Sequence, residues 1–178
     1  ADGRASRSLD RDIAPAPDDG ELVLTALARL WRKRLPEGTP TTFGSADASG
    51  FEARFSTDGR QLAWAEWNDE RGGTLVVARA DGSRPRTVAT SRGVIREPHF
   101  SPDGSQLVYR IQAPDPNFGG ARAKPGIYRV AVGGGESRFV ASGDRAPHFS
   151  PRGDRIFIIE KDYAGESPAE ILVSVTPD

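Results

Sequence analysis

The sequence predicts an all-β chain built from repeats, and two observations carry that prediction. The first is a stretch at residues 97–110, EPHFSPDGSQLVYR. It recurs as FEARFSTDGRQLAWAE from Phe51 and as APHFSPRGDRIFIIE from Ala146, with a fainter copy, IAPAPDDGELVLTA, from Ile13. Anchored on Asp19, Asp58, Asp103 and Arg152, each followed by glycine, the copies are 39, 45 and 49 residues apart. Self-similarity in this range marks a repeat architecture. The second observation is composition: 20 glycines, 14 prolines and 37% hydrophobic residues suit a turn-rich β chain more than a helical one.

Each copy reads as a hairpin. Phe100 and Phe149 end short extended runs in which Pro98 and Pro147 disfavour helix. Ser-Pro-Asp-Gly then makes the turn: proline suits an early turn position, aspartate bonds its own backbone, and glycine accepts positive φ. The residues after the turn, Gln106-Leu107-Val108-Tyr109 and Arg155-Ile156-Phe157-Ile158-Ile159, are β-branched and aromatic enough for a buried strand.

Taken in order, residues 1–10 (ADGRASRSLD) match residues 80–89 (ADGSRPRTVA) as a tight Asp-Gly turn leading into a polar strand. Residues 12–44 hold the first full repeat, with strands over 21–25 and 29–35. A helix is the rival here, because LVLTALARLWRKRL also spaces apolar residues by three and four. The repeat decides for strands. The unit from Phe51 is the clearest, with strands over 52–56, 61–66, 74–79 and 86–90 and a polar loop over 68–73. The next repeats that scheme with a longer loop over 113–124, a third strand over 127–132, a Gly133-Gly134-Gly135 turn and a fourth strand over 137–141. The last supplies three strands.

Four antiparallel strands per repeat at this period define a β-propeller blade. A single blade cannot bury both faces of its sheet, so neighbours cover one another and apolar residues such as Phe55, Phe100 and Phe149 return in every repeat as packing between blades. The expected organisation is a propeller segment of about four four-stranded blades. Residues 1–11 are the last strand of a preceding blade, 12–50, 51–96 and 97–145 are blades, and 146–178 are an incomplete blade. An arc of a larger propeller is expected rather than a closed ring. These Phe residues, with Leu62, Leu107 and Ile156, are expected to be equivalently buried.

PHFSPDGSQLVY and PHFSPRGDRIFI, with the downstream Tyr128-Arg129-Val130-Ala131 and the Gly-Gly turns, resemble TolB-type (WD40-like) propeller repeats. The resemblance covers residues 12–178. The first repeat, with its Ala-Leu-Ala-Arg-Leu-Trp run ending at Trp31, is most similar to the propellers of secreted amidohydrolases, whose catalytic metal site lies in a separate barrel that nothing here resembles. The resemblance implies a non-catalytic interaction or scaffolding module of a periplasmic or secreted protein. The alternative it implies is the propeller portion of an amidohydrolase-like metal-dependent hydrolase.

Weighed singly, the chemically able residues fit structural roles. The two histidines, His99 and His148, occupy one slot of two repeats, where the second blade has Arg54, and no zinc-binding spacing surrounds them. No Gly-x-Ser-x-Gly elbow is present. The Gly133-Gly135 run leads into a strand and offers no helix N-terminus to an anion. Asp58 and Asp103 sit where a turn needs an acceptor for backbone N–H groups, and the Arg152 that replaces them is consistent with a turn role. No catalytic residue, cofactor or metal ligand is therefore assigned.

Candidate interaction residues lie in the loops between second and third strands, which differ while the frame repeats: Trp67, Asp69 and Glu70; Asp115, Asn117, Phe118, Arg122 and Lys124; Asp162, Tyr163 and Glu166. Exposed aromatics among mixed charges suit a protein or peptide partner. Further blades and a catalytic domain of the same polypeptide are the other partners considered. A net charge of -1 offers no electrostatic case for nucleic acid, and no apolar run has the roughly 20 residues of a membrane span. With no cysteine, disulfides and thiolate metal sites are excluded and the compartment stays open.

Overall fold

A computed structural model describes residues 13–112, 123–143, 145–162 and 169–177. Among them there are strands and turns and no helix. Four antiparallel meanders follow in chain order. Blade 1 comprises β1 (Ile13–Pro15), β2 (Glu21–Ala26), β3 (Arg29–Arg34) and β4 (Thr41–Phe43). Blade 2 comprises β5 (Ser49–Phe55), β6 (Gln61–Asn68), β7 (Gly72–Arg79) and β8 (Arg86–Ser91). Blade 3 comprises β9 (Ile95–Phe100), β10 (Gln106–Ile111), β11 (Gly126–Ala131) and β12 (Arg138–Ala141). Blade 4 has three strands, β13 (Arg145–Phe149), β14 (Ile156–Asp162) and β15 (Ala169–Val175). Among the described residues the blades form an arc and do not close into a ring.

The core consists of three apolar layers, one between each pair of consecutive blades. Ala14, Val23 and Leu30 of blade 1 meet Ala53, Leu62, Trp64, Val76 and Ala78 of blade 2. The other face of blade 2, including Ala63, Ala65, Leu75 and Val77, meets Ile95, Leu107, Tyr109 and Ile111 of blade 3. Val108 and Ile127 of blade 3 meet Phe149, Ile156 and Ile158 of blade 4. The two-residue side-chain period sends alternate residues of β6 and β10 to opposite layers, so each sheet serves two cores.

Leu62, Leu107 and Ile156 are fully buried as expected, but the three phenylalanines are not equivalent. Phe149 is buried, whereas Phe55 and Phe100 are half-buried at the edge of their layers. The rival helix in blade 1 is ruled out. Its sequence folds as a hairpin whose two-residue turn, Leu27-Ala28, holds both residues at positive φ (53° and 56°). That is the backbone of a type I′ turn without the usual asparagine or glycine, and so it leaves no turn signature. In blade 2, strand pairing continues past the expected ends: Trp67 pairs with Gly73 and Asn68 with Gly72, leaving only Asp69, Glu70 and Arg71 in the turn expected over 68–73.

The Ser-Pro-Asp-Gly turn is a closed set of hydrogen bonds. Ser101 Oγ donates to Asp103 Oδ1 (2.6 Å) and accepts from Gln106 N–H (2.9 Å), while Ser105 N–H donates to the same carboxylate (3.1 Å). Ser56, Asp58, Arg60 and Gln61 repeat the pattern. The hydrogen bonds from Ser101 and then Ser105 hold the Asp103 carboxyl down to about 2. In blade 4, where Arg152 stands in the aspartate slot, Ser150 Oγ donates instead to Asp154 Oδ1 (2.7 Å). The carboxylate has moved two positions and has not been lost. In blade 1, Asp19 occupies the left-handed glycine slot (φ 56°), its N–H donating to Ala16 O as Gly59 N–H donates to Ser56 O. The true equivalent of Asp58 is thus Asp18, one residue before the anchor that sequence matching picks.

Neighbouring blades are also joined by a repeated polar contact. In β5, β9 and β13 two residues face one on the partner strand, a β-bulge between Phe51 and Arg54, Arg96 and His99, and Arg145 and His148. The first bulge residue, Glu52, Glu97 or Ala146, has φ of 51° to 53°. That turns its N–H out of its own sheet. Glu97 N–H donates to Glu52 Oε2 (2.5 Å), and Ala146 N–H donates to Glu97 Oε2 (2.7 Å). Blade 1 supplies Thr25 Oγ1 to Glu52 N–H (3.2 Å). Each carboxylate is charge-paired within the layer, Glu52 with Arg96 (2.8 Å) and Glu97 with Arg110 (3.3 Å). Pro98 and Pro147 stand at the second bulge position, where an N–H would have no place in the ladder.

Two expectations follow. Glu97→Ala leaves the Ala146 N–H and the Arg110 guanidinium without their acceptor and should cost about 2 to 3 kcal/mol in urea denaturation, with Glu97→Gln losing less because its amide oxygen still accepts. For the relocated turn carboxylate, Asp154→Ala should lower the urea midpoint, and adding Arg152→Asp should raise it again by returning the acceptor to the slot of Asp58 and Asp103.

Candidate functional site

The clearest concavity lies between the loops of blades 1 and 2, on the face that carries the turns between second and third strands and the connections between blades. It is a cleft of about 590 Å³ lined by Leu27, Ala28, Arg29, the 46–49 connection, Trp67, Asn68, Asp69 and Glu70. Its walls are held rigidly. Gly50 N–H donates to Ala28 O, and a Cβ on Gly50 would stand 2.6 Å from Leu30 Cγ, so only glycine lets the two blades approach here. Arg29 reaches Ser45 O (3.0 Å). Asn68 donates to Asp47 O (2.8 Å) and accepts from Glu70 and Arg71 N–H, while Arg71 pairs with Asp47 at 2.8 Å. Trp67 Nε1 donates to Asp69 Oδ1 (2.7 Å), which fixes the indole along one wall. Leu27, at the hairpin tip, is 92% exposed.

Of the residues named from sequence, Trp67, Asp69 and Glu70 meet in this cleft. Lys124 and Asp162 do not. Lys124 Nζ sits 3.4 Å from the centre of the Phe139 ring, a cation–π contact in blade 3, and Asp162 closes β14 opposite Ala169. Asp115, Asn117, Phe118, Arg122, Tyr163 and Glu166 lie outside the described residues, as does the strand of a preceding blade expected within residues 1–11. Leu27, Arg29 and the 46–49 connection were not found from sequence, because nothing local distinguishes them. They join the site only through the stacking of blade 1 on blade 2.

The histidines mark a second feature. Arg54, His99 and His148 occupy one slot of three consecutive inner strands, and the two imidazoles are 6.4 Å apart between ring centres. Burial, then the charge of Arg54 and the neighbouring His148, lower the His99 pKa to about 4. His148 Nδ1 lies 2.9 Å from Ala146 O. Among the described residues no group of three or more His, Asp or Glu side chains is placed to hold a metal ion.

Stacked antiparallel meanders, each with a turn of the Ser-Pro-Asp-Gly kind between its first two strands, define this fold as a TolB-like β-propeller, here as a four-blade arc. Over 54 residues, 29% of the chain and 13% of the relative's length, the sequence is 44% identical to the Tol-Pal system protein TolB of Alkalilimnicola ehrlichii. The structure of TolB from Acinetobacter baumannii superposes with a TM-score of 0.67 at 16% identity, over 93% of this chain and 42% of that one. A TolB-type protein of Agrobacterium tumefaciens gives 0.66 at 16% identity, over 94% and 61%. The hydrazine synthase of Kuenenia stuttgartiensis gives 0.68 at 16% identity, over 93% and 50%, so the fold by itself carries no activity. No family model matches the chain. The chain therefore spans about half the length of the TolB structures it matches, and the amidohydrolase resemblance of the first repeat gains no support from these likenesses.

A pH dependence follows from His99. Its pKa in the fold lies below the ordinary 6.5, so the unfolded chain binds the proton first. Stability is complete above about pH 6.5 and falls as pH drops toward 4. Urea denaturation should show a loss of about 2 kcal/mol between pH 7 and pH 5, and His99→Phe should flatten it. The Asp58, Asp103 and Asp154 carboxyls, all held low by serine hydroxyls, titrate below this window.

Proposed function

We propose that this chain is a non-catalytic interaction module, which docks an extended segment of a partner protein through the loop face between blades 1 and 2. The observation that carries the reading is the cleft framed by Leu27, Arg29, the 46–49 connection and Trp67 to Glu70. Its lining sets the small apolar Ala28, Ala46 and Ala48 beside a tethered indole and a hairpin tip that offers a leucine to solvent. An aromatic anchor beside charged rim groups is the arrangement that concentrates binding energy in a few residues. The propeller supplies a stiff frame, so little ordering cost falls on this side of the contact. The TolB likeness supports reading the module as part of a longer periplasmic or secreted protein.

The reading is tested by panning a displayed peptide library against the purified chain and measuring the affinity of the selected peptides. Trp67→Ala and Leu27→Ser should each weaken binding by about tenfold or more while leaving the unfolding free energy in urea within about 0.5 kcal/mol of the parent. Selected peptides that bind both variants as well as the parent would place the interface elsewhere.

A further inference from the structure

Between blades 1 and 2 a carboxylate is buried without a cation. Glu66 of β6 is 9% exposed. Its Oε1 accepts from Trp64 Nε1 (2.8 Å) and from Ser45 N–H (3.0 Å), which Gly44, at φ 87°, brings within reach. Both donors meet the same oxygen. Among the described residues Oε2 receives no hydrogen bond and Glu66 has no ion pair. The other carboxylates between blades are paired, Glu52 with Arg96 and Glu97 with Arg110. A neutral acceptor would serve the indole and the amide, so the charge itself is not accounted for by packing. Nor does the blade frame require it. Counted from the shared Gln-Leu start of the second strand, the same slot in blade 3 holds Ile111, 6% exposed.

Glu66 lines a cleft of about 320 Å³ between the outer strands of the two blades, together with Trp64, Val76, Thr87, Gly44 and Gly82. By register Trp64 stands opposite Val76 and Val76 opposite Thr87, so the three share the face turned to blade 1. Arg86 also borders the cleft, but it pairs with Val77 on the opposite face, and its Nη1 donates to Val132 O of blade 3. We propose that this cleft binds a small organic cation, a primary ammonium on a compact apolar body, with Glu66 as its counter-ion. The volume is at the small end of the range for small-molecule sites, roughly 300 to 1,000 Å³. The chemistry of the cation follows from the one oxygen left over. A guanidinium is best met by both oxygens of a carboxylate, and Oε1 is already engaged twice. An ammonium is a point charge that one oxygen can hold. A metal ion would need further ligands, and among the described residues no group of three or more His, Asp or Glu supplies them. This inference is independent of the loop-face reading, because the two clefts share no residue.

The indole N–H of Trp64 reports on the site, because it shares Glu66 Oε1. Proton–nitrogen NMR of the full 178-residue chain, with n-butylammonium added at constant ionic strength, should show a saturable shift of that resonance. The expected Kd is about 1 to 10 mM, in keeping with so few ligand atoms. The indoles of Trp31 and Trp67, bonded to Ala26 O and Asp69, serve as internal controls and should not move. 1-Butanol and sodium chloride should give no saturable shift, and n-butylguanidinium should bind more weakly. Glu66→Gln keeps an oxygen for both donors and removes the charge, and it should weaken butylammonium binding by about tenfold or more. Thr87→Tyr, at an exposed outer-strand position, should block the cleft with Glu66 intact, and it decides the matter if Glu66→Gln fails to fold. Lysine capped as its N-acetyl methylamide separates the two sources of the ammonium. Binding of the capped lysine as well points to a side chain of a partner protein; its exclusion points to a free amine. Either result supports the assignment. A parent chain without a saturable shift, an equal response to butanol, tighter binding of the guanidinium, or a folded variant that binds like the parent would each overturn it.

Discussion

The arc depends on an amide that does not belong to its own sheet. At Glu52, Glu97 and Ala146 the backbone takes a left-handed turn that costs an L-residue roughly 1 to 2 kcal/mol. The return is an N–H aimed across the gap between blades, from Glu52 at the Thr25 hydroxyl and from Glu97 and Ala146 at a carboxylate that an arginine already holds in place. Apolar layers alone would let one sheet slide over the next, because dispersion contacts have little directionality. A charged acceptor meeting a single backbone donor admits one register. The carboxylate bond is made at the innermost strand, where the blades are closest, so a small angular error there would be magnified at the outer strands.

The turns at the opposite end of the same hairpins add a second registration. Each glycine of the turn lies against the blade before it: a Cβ on Gly59 would stand 3.5 Å from Pro17, and one on Gly153 would stand 3.6 Å from Pro102. In blades 2 and 4 the proline of the preceding turn therefore rests on this glycine, whereas Gly104 of blade 3 faces Gln61. The turn keeps its shape through a serine hydroxyl shared between a carboxylate and a backbone N–H, and blade 4 shows that the carboxylate can come from Asp154 as well as from the Asp103 slot. What is held constant is the acceptor, not the residue that bears it.

The cleft on the loop face is a by-product of this registration. Once Gly50 lets β5 approach Leu30 and the Glu52 amide finds Thr25, the Leu27-Ala28 hairpin tip is carried to the edge of the space bounded by Trp67 and Asp69. Tethers from Asn68, Arg29 and Arg71 then stiffen its walls. The cleft is therefore a preformed shape whose entropy cost was met in folding.

Read by itself, the sequence determined the all-β class, the meander of each blade, the turns and the fully buried Leu62, Leu107 and Ile156, because these rest on local chemistry repeated often enough to be compared with itself. Trp67, Asp69 and Glu70 were legible for the same reason, as the variable part of a constant frame. The tertiary structure alone decided the rest. The positive φ of Glu52 and Glu97 has no local signature, since its reward is a bond to a residue 45 or 49 positions away. The transfer of the turn carboxylate to Asp154, the half-burial of Phe55 and Phe100 and the entry of Leu27 into the cleft likewise depend on which surfaces meet. Local pattern specifies a blade; the fit between blades assigns each residue its neighbour.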